Sequence, residues 1–276
     1  MGVISVDMLH EYGKEIYERL RLKTFPFAVK LIERDEAGLQ DVVRPKRDLG
    51  CHLASCQAFA LTRREGMKIL QTKEDMWCSE AAIGFGFGGL PQYFLDGNTR
   101  FPQEVETLEV GKIWAQSFPH LESDKYIGIL SSPLELTDYE PDVIVMYCDS
   151  AQLKMLTGSV IWKYGHGVQC KLVNMGACVY AVVPVMQSGK FNVAIPCGGD
   201  RAYAICQDDE MIFSAPPAEL ETLVLALRYL DEYKNKIPIP FVMRPDFPMR
   251  ESYIKLGKML GMDLDKAKVL KKGKYV

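Results

Sequence analysis

Residues 178–206 read Cys178-Val-Tyr-Ala-Val-Val-Pro-Val-Met-Gln-Ser-Gly-Lys-Phe-Asn-Val-Ala-Ile-Pro-Cys197-Gly-Gly-Asp-Arg-Ala-Tyr-Ala-Ile-Cys206. A cysteine opens an apolar helix, a Ser-Gly pair ends it, a short strand follows, and a second cysteine sits on a Gly-Gly turn. A related phrase occupies residues 56–87. Cys56-Gln-Ala-Phe-Ala-Leu-Thr-Arg-Arg-Glu-Gly66 is followed by an apolar strand, a polar turn and Cys78-Ser-Glu-Ala-Ala. Cys56 precedes Gly66 by ten positions, and Cys178 precedes Gly189 by eleven. Self-similarity of this kind decides a fold before any single element does. The pattern predicts an α/β (or α+β) protein of two pseudo-symmetric halves, each a small sheet flanked by helices. The halves span residues 1–125 and 126–276 and form one composite globular domain.

The composition agrees with a soluble globular chain. Its 276 residues are 48% apolar and 25% charged, enough to bury a core without staples. A net charge of −3, with no basic stripe among aromatics, argues against a nucleic-acid partner. No apolar run is long enough to span a membrane, and the first residues lack the pattern of a secretory signal. The simplest expectation is a cytoplasmic protein with no membrane partner. Eight cysteines in such a compartment point to free, metal-bound or redox-active thiols rather than a disulfide framework.

Apolar positions Val6, Leu9, Tyr12, Ile16, Tyr17 and Leu20 recur at helical spacing. A strand follows over 25–32, then a charged, irregular segment over 33–50 with the basic cluster Arg44-Pro-Lys-Arg47. The first cysteine-led helix covers 53–64 and the next strand 67–70. The Gly84-Phe-Gly-Phe-Gly-Gly segment contains Gly-x-Gly, yet lacks the full dinucleotide fingerprint. Residues 91–125, broken by Pro91, Pro102 and Pro119, read as a connector or lid. Strands follow over 126–130 and 143–147, the second fully apolar as a buried strand is. Asp149 or Ser150 caps a helix to about Tyr164. A strand over 211–214, a long helix over 218–234 opened by Pro216-Pro217, a helix near 251–260 and a lysine-rich tail over 266–274 complete the chain.

Three phrases carry a family resemblance. They are Cys56-Gln-Ala with its helix and Gly66, Glu74-Asp75-Met-Trp-Cys78 with Ala81, Ala82 and Gly84, and Cys197-Gly198-Gly199-Asp200-Arg201 with Asp208-Asp209-Glu210. With these the chain resembles the uncharacterised domain-of-unknown-function family 169, found mainly in archaea and anaerobic bacteria. The resemblance runs from the first strand to the long helix and supplies no function. Cys51, Cys148, Cys170 and Cys206 lie outside the matching phrases.

If the halves are related by a pseudo-twofold axis, Cys56 corresponds to Cys178 and Cys78 to Cys197. All four then meet where the halves join. Cysteines at helix starts are favoured as thiolates, the form that binds soft metals. A structural zinc site takes close Cys-x₂₋₄-Cys pairs, and the Cys51/Cys56 pair has no second pair to match it. Four dispersed thiolates suit an iron–sulfur cluster, of the 4Fe-4S type, with glycines allowing close backbone approach. The expectation is a redox or electron-transfer protein of anaerobic metabolism; as an enzyme it would be an oxidoreductase component. Its partner, a redox protein or a small molecule, is not readable from the sequence, and neither is a homo-oligomeric state. The rival reading is a metal-free protein or thiol enzyme for a small anion. In that reading Gly198, Gly199, Asp200 and Arg201 form a binding turn with Arg201 as the anion fork. The bland readings are core cysteines and a plain Asp200–Arg201 ion pair. Of the four histidines only His52, beside Cys51, stands close to this chemistry.

Overall fold

A computed structural model describes residues 4–33, 41–232 and 248–269. The strands are β1 (Phe27–Glu33), β2 (Ile69–Thr72), β3 (Tyr126–Pro133), β4 (Val143–Cys148), β5 (Asn192–Ala194) and β6 (Met211–Ala215). The helices are α1 (Val6–Leu20), α2 (Ser55–Glu65), α3 (Ser79–Gly84), α4 (Gln92–Leu95) and α5 (Leu108–Ser117), then α6 (Ser150–Tyr164), α7 (Ala177–Ser188), α8 (Gly198–Tyr203), α9 (Leu220–Glu232) and α10 (Glu251–Met259). The expected end of the long helix at 233–234, part of the charged segment (34–40) and most of the lysine-rich tail lie outside the described residues.

The six strands form one antiparallel sheet in the order β2-β3-β1-β4-β6-β5. The sequence pattern predicts a small sheet in each half. Instead all six strands share one sheet, joined where β1 pairs with β4 through Phe27 and Val145, Ala28 and Ile144, and Val29 and Val143. The reason is burial. Every residue of β4 is buried, so neither face nor edge of that strand is left to water. Outward from this pair, β1-β3-β2 and β4-β6-β5 have the same order and the same antiparallel pairing. The two groups differ in their helices. The long helix α6 stands between β4 and α7, whereas the described residues between β1 and α2 hold only a five-residue turn of π-helix, Pro45–Leu49. Strand β3, expected to open the second half, is hydrogen-bonded between β1 and β2.

Alternation along the strands divides the core in two. Phe27, Val29, Val143, Val145, Tyr147 and Ile212 face α2, α3 and α7, meeting Phe59, Ala81, Val179 and Val182. Ala28, Ile144, Met146, Phe213 and Ala215 face α1, α6 and α9, meeting Ile16, Leu156, Val160, Leu223 and Val224. The cysteine-led helices therefore share one layer.

Helix α7 carries Pro184 in its interior. Proline has no N–H to give to the carbonyl four residues earlier, Tyr180. Asn192 of β5 donates its side-chain amide to that carbonyl instead, at 2.7 Å. The start of α7 is fixed by Gly176, at φ +62°, where a side chain would also meet the Phe118 ring at 2.9 Å.

Helices α3 and α7 touch through Gly84, where an added Cβ would lie 2.5 Å from both Val179 methyl carbons. Gly84→Ala is expected to destabilise the fold by about 1–3 kcal/mol through overpacking. Gly167→Ala, with nothing within 4 Å, is the neutral reference. Urea unfolding of the two variants checks this, and equal midpoints would contradict the close packing.

Candidate functional site: a pocket lined by four cysteines

Each of the four singled-out cysteines stands at the start of a helix. Cys56 and Cys178 are the second residues of α2 and α7, and Cys78 and Cys197 are the N-cap residues of α3 and α8. The Gly198-Gly199 pair, expected to form a turn, opens α8. Local contacts hold these starts in place. The Ser55 hydroxyl donates to Gln71 of β2 at 2.9 Å, and Gln71 donates to the Leu53 carbonyl at 2.6 Å. The Ala54 N–H donates to the Gln57 side chain at 2.9 Å, closing half of a capping box.

The four side chains line one cavity of about 730 Å³, together with Gly198 and Gly199. A Cβ added at Gly199 would sit 3.6 Å from Cys56 Sγ and 3.7 Å from Cys197 Sγ, so the glycine leaves open the space between those two sulfurs. Backbone N–H groups bear on the sulfurs: Gln57 on Cys56, Ala81 and Glu80 on Cys78, and Ala177 and Asp200 on Cys197. Among the described residues, no group of three or more His, Cys, Asp or Glu side chains is arranged to hold a metal ion. The thiols surround a space rather than converge on a point.

Burial pushes all four thiols above the ordinary cysteine range, and for Cys56 and Cys178 the neighbouring cysteines and Asp200 add to it. The remaining cysteines lie elsewhere. Cys148 belongs to the opposite core face and Cys206 to the core beneath α7; burial pushes each up to about 12. Cys51 and Cys170 are exposed.

Beneath Cys197 runs a buried polar chain that the sequence reading did not contain. Asp200 accepts the Tyr147 hydroxyl at 2.7 Å and the Cys197 N–H at 3.3 Å, and the Cys197 thiol donates to it at 3.1 Å. The Arg63 guanidinium lies 3.9 Å from the centre of the Tyr147 ring and donates to Glu210 at 2.9 and 3.4 Å. Arg63 and Glu210 are both buried, which a charged pair tolerates only with this matching. Burial alone would raise the Glu210 carboxyl; the Gln207 N–H and Arg63 hold it below its usual range. No sequence signal marks Arg63, since its partners lie 84 and 147 positions away.

Asp200 thus supports Cys197 from behind. Arg201, expected as an anion fork, points elsewhere: it donates to the Gln207 carbonyl at 3.0 Å and to Asp208 at 3.3 Å, and it does not line the pocket. Asp200 and Arg201 do not pair with each other, because each already has these partners. His52 is exposed and lies against the Trp77 ring rather than among the thiols.

The fold and pocket define a class: an antiparallel α/β sandwich whose one helical layer opens on four thiols. The chain belongs to the domain-of-unknown-function family 169, described as an uncharacterised ArCR family, whose model matches residues 15–226 and so takes in all four pocket cysteines. It is also 25% identical over 232 residues to the uncharacterized protein MJ0308 of Methanocaldococcus jannaschii, covering 82% of this chain and 96% of that protein. No solved structure matches the chain.

Two outcomes follow from this geometry. In metal-free, reduced protein, alkylation of the pocket thiols should keep rising through pH 9, about tenfold per unit, because thiolate is the reacting form and these thiols titrate above the ordinary value of about 8.5. Mass spectrometry of iodoacetamide-treated protein reads this site by site, and a plateau near pH 7 would contradict it. Tyr147→Phe removes a hydrogen bond to the buried Asp200 carboxyl and should cost about 1.5–3 kcal/mol in chemical denaturation.

Proposed function

We propose that the cysteine pocket holds an iron–sulfur cluster, of the 4Fe-4S type, with Cys56, Cys78, Cys178 and Cys197 as its ligands. On this reading the protein has a redox or electron-transfer role in anaerobic metabolism. The observation that carries it is the meeting of four thiols around one cavity, two from each half of the chain and each from a helix start. Four thiolate ligands are what such a cluster requires. A cluster also suits thiols spread around a space better than a single tetrahedral ion does, since zinc draws its sulfurs to about 2.3 Å from one centre. The N-termini of α2 and α7 and the N–H groups aimed at the sulfurs favour the thiolate charge that a cluster carries.

The buried thiols are neutral without a cation, so loading a metal group must release their protons. Asp200 and Tyr147 keep Cys197 oriented, and Gly199 leaves room between Cys56 and Cys197. The rival reading, an anion site on the Gly-Gly-Asp-Arg turn, draws less support from the pocket, because Arg201 does not line it and donates to Gln207 and Asp208.

The test is anaerobic purification or reconstitution with iron and sulfide. The expected result is a broad visible absorption that bleaches on reduction, with about four irons and four sulfides per chain. Replacing any one of the four cysteines by alanine should lower iron content severalfold, while Cys148→Ala leaves it unchanged. Gly199→Ala should fold normally, since its methyl meets only ordinary contacts, yet lose metal content by filling the cradle. Colourless protein that takes up neither iron nor sulfide would end the proposal.

A further inference from the structure

The cavity is larger than the thiols need, and its outer wall has a different chemistry from its floor. Trp77, Tyr93 and Tyr203 line it, at 76%, 65% and 71% exposure. They come from three separate places: the residue before Cys78, helix α4, and the end of α8. Large aromatic side chains left this bare around a concavity mark a binding surface. The charged side chains that line the pocket are Arg100, Glu80 and Glu104; Arg100 donates to both carboxylates through its terminal nitrogens, while its buried Nε has no hydrogen-bond partner. No unpaired cation is left in the lining to select an anion. The remaining polar wall is neutral, with the amides of Asn98, Gln103 and Asn174. A volume of about 730 Å³ with an aromatic rim and a few neutral hydrogen-bonding groups fits a small organic ligand.

We propose that the mouth of the cysteine pocket binds a planar, uncharged heteroaromatic molecule, of the flavin-ring type, by stacking on Trp77 and Tyr203 with its edge directed at the thiols. Base-sized rings gain about 1–3 kcal/mol from each aromatic face they stack on, with little dependence on identity. Neutral amides then supply the hydrogen bonds along the ring edge. The site stands on the rim and does not depend on a cluster below it.

The probe is riboflavin, titrated into reduced, metal-free protein and followed by quenching of its own fluorescence. Saturable quenching is expected. Trp77→Ala and Tyr203→Ala should each weaken binding about tenfold, the loss of about 1.4 kcal/mol. Trp77→Phe should retain binding within about threefold, and so controls for disturbance of the neighbouring Cys78. Tyr253→Ala, equally bare at 65% exposure but outside the pocket lining, should change nothing. Flavin mononucleotide should bind as riboflavin does. Much tighter binding of the phosphorylated probe would show an anion site and overturn the proposal, as would unsaturable quenching or equal loss in Tyr253→Ala. A dimer in sedimentation that Tyr203→Ala dissociates would overturn it too, by assigning the rim to a second copy of the chain. Because the titration uses no iron, its failure leaves the cluster reading standing, and a colourless protein that binds riboflavin separates the two in the other direction.

Discussion

The pairing of β1 with β4 is the constraint on which the other features depend. Only three residue pairs make it, yet it fuses two three-stranded groups into one sheet. Both strands are buried on both faces there, so the register is set by packing: a slip of one residue would exchange Phe27 and Val29 with Ala28 across the layers. With the register fixed, the cysteine-led helix of each strand group is committed to the same side. That is how α2 and α7 come to present Cys56 and Cys178 to a common space.

The polar chain below the pocket makes the same joint rigid in a different way. Arg63 belongs to α2, Tyr147 to β4, Asp200 to α8 and Glu210 to the turn before β6. One buried ion pair, one cation–π contact and one hydroxyl–carboxylate bond therefore link both halves behind Cys197. Removing one member of a buried pair strands the other, which is far costlier than losing a surface ion pair. The pocket is built on a support that cannot shift without leaving a charge unsatisfied.

Much of the local structure was legible in the chain because it is carried by local signals. Cys56 and Cys178 begin helices that glycines end at Gly66 and Gly189, and both apolar strands declare themselves by composition. Asp149 caps its helix as its residue type predicts, accepting the Ala151 and Gln152 N–H groups. The single shared sheet was not legible, because strand partners across the joint leave no trace in periodicity. The helical starts after Cys78 and Cys197 were hidden by their length and, at Cys197, by two glycines that favour a turn. Arg201 stands beside Gly-Gly-Asp, a conspicuous place, whereas nothing local marks Arg63, the arginine that matters to the interior. Its partners are set by tertiary structure alone.

The wide spacing of the pocket residues along the chain has a consequence for synthesis. Cys56 leaves the ribosome 141 residues before Cys197. At about 5–20 residues per second, it waits on the order of ten seconds for the residue that shares its cradle. For the first part of that interval, until β4 has followed, the β1–β4 joint cannot form, and until Cys197 follows the shared cavity is incomplete. The protection of the early thiols then rests on the reducing power of the surroundings. A brief oxidative pulse would do more harm to chains still being made than to finished ones, in which Cys56 and Cys178 are already buried.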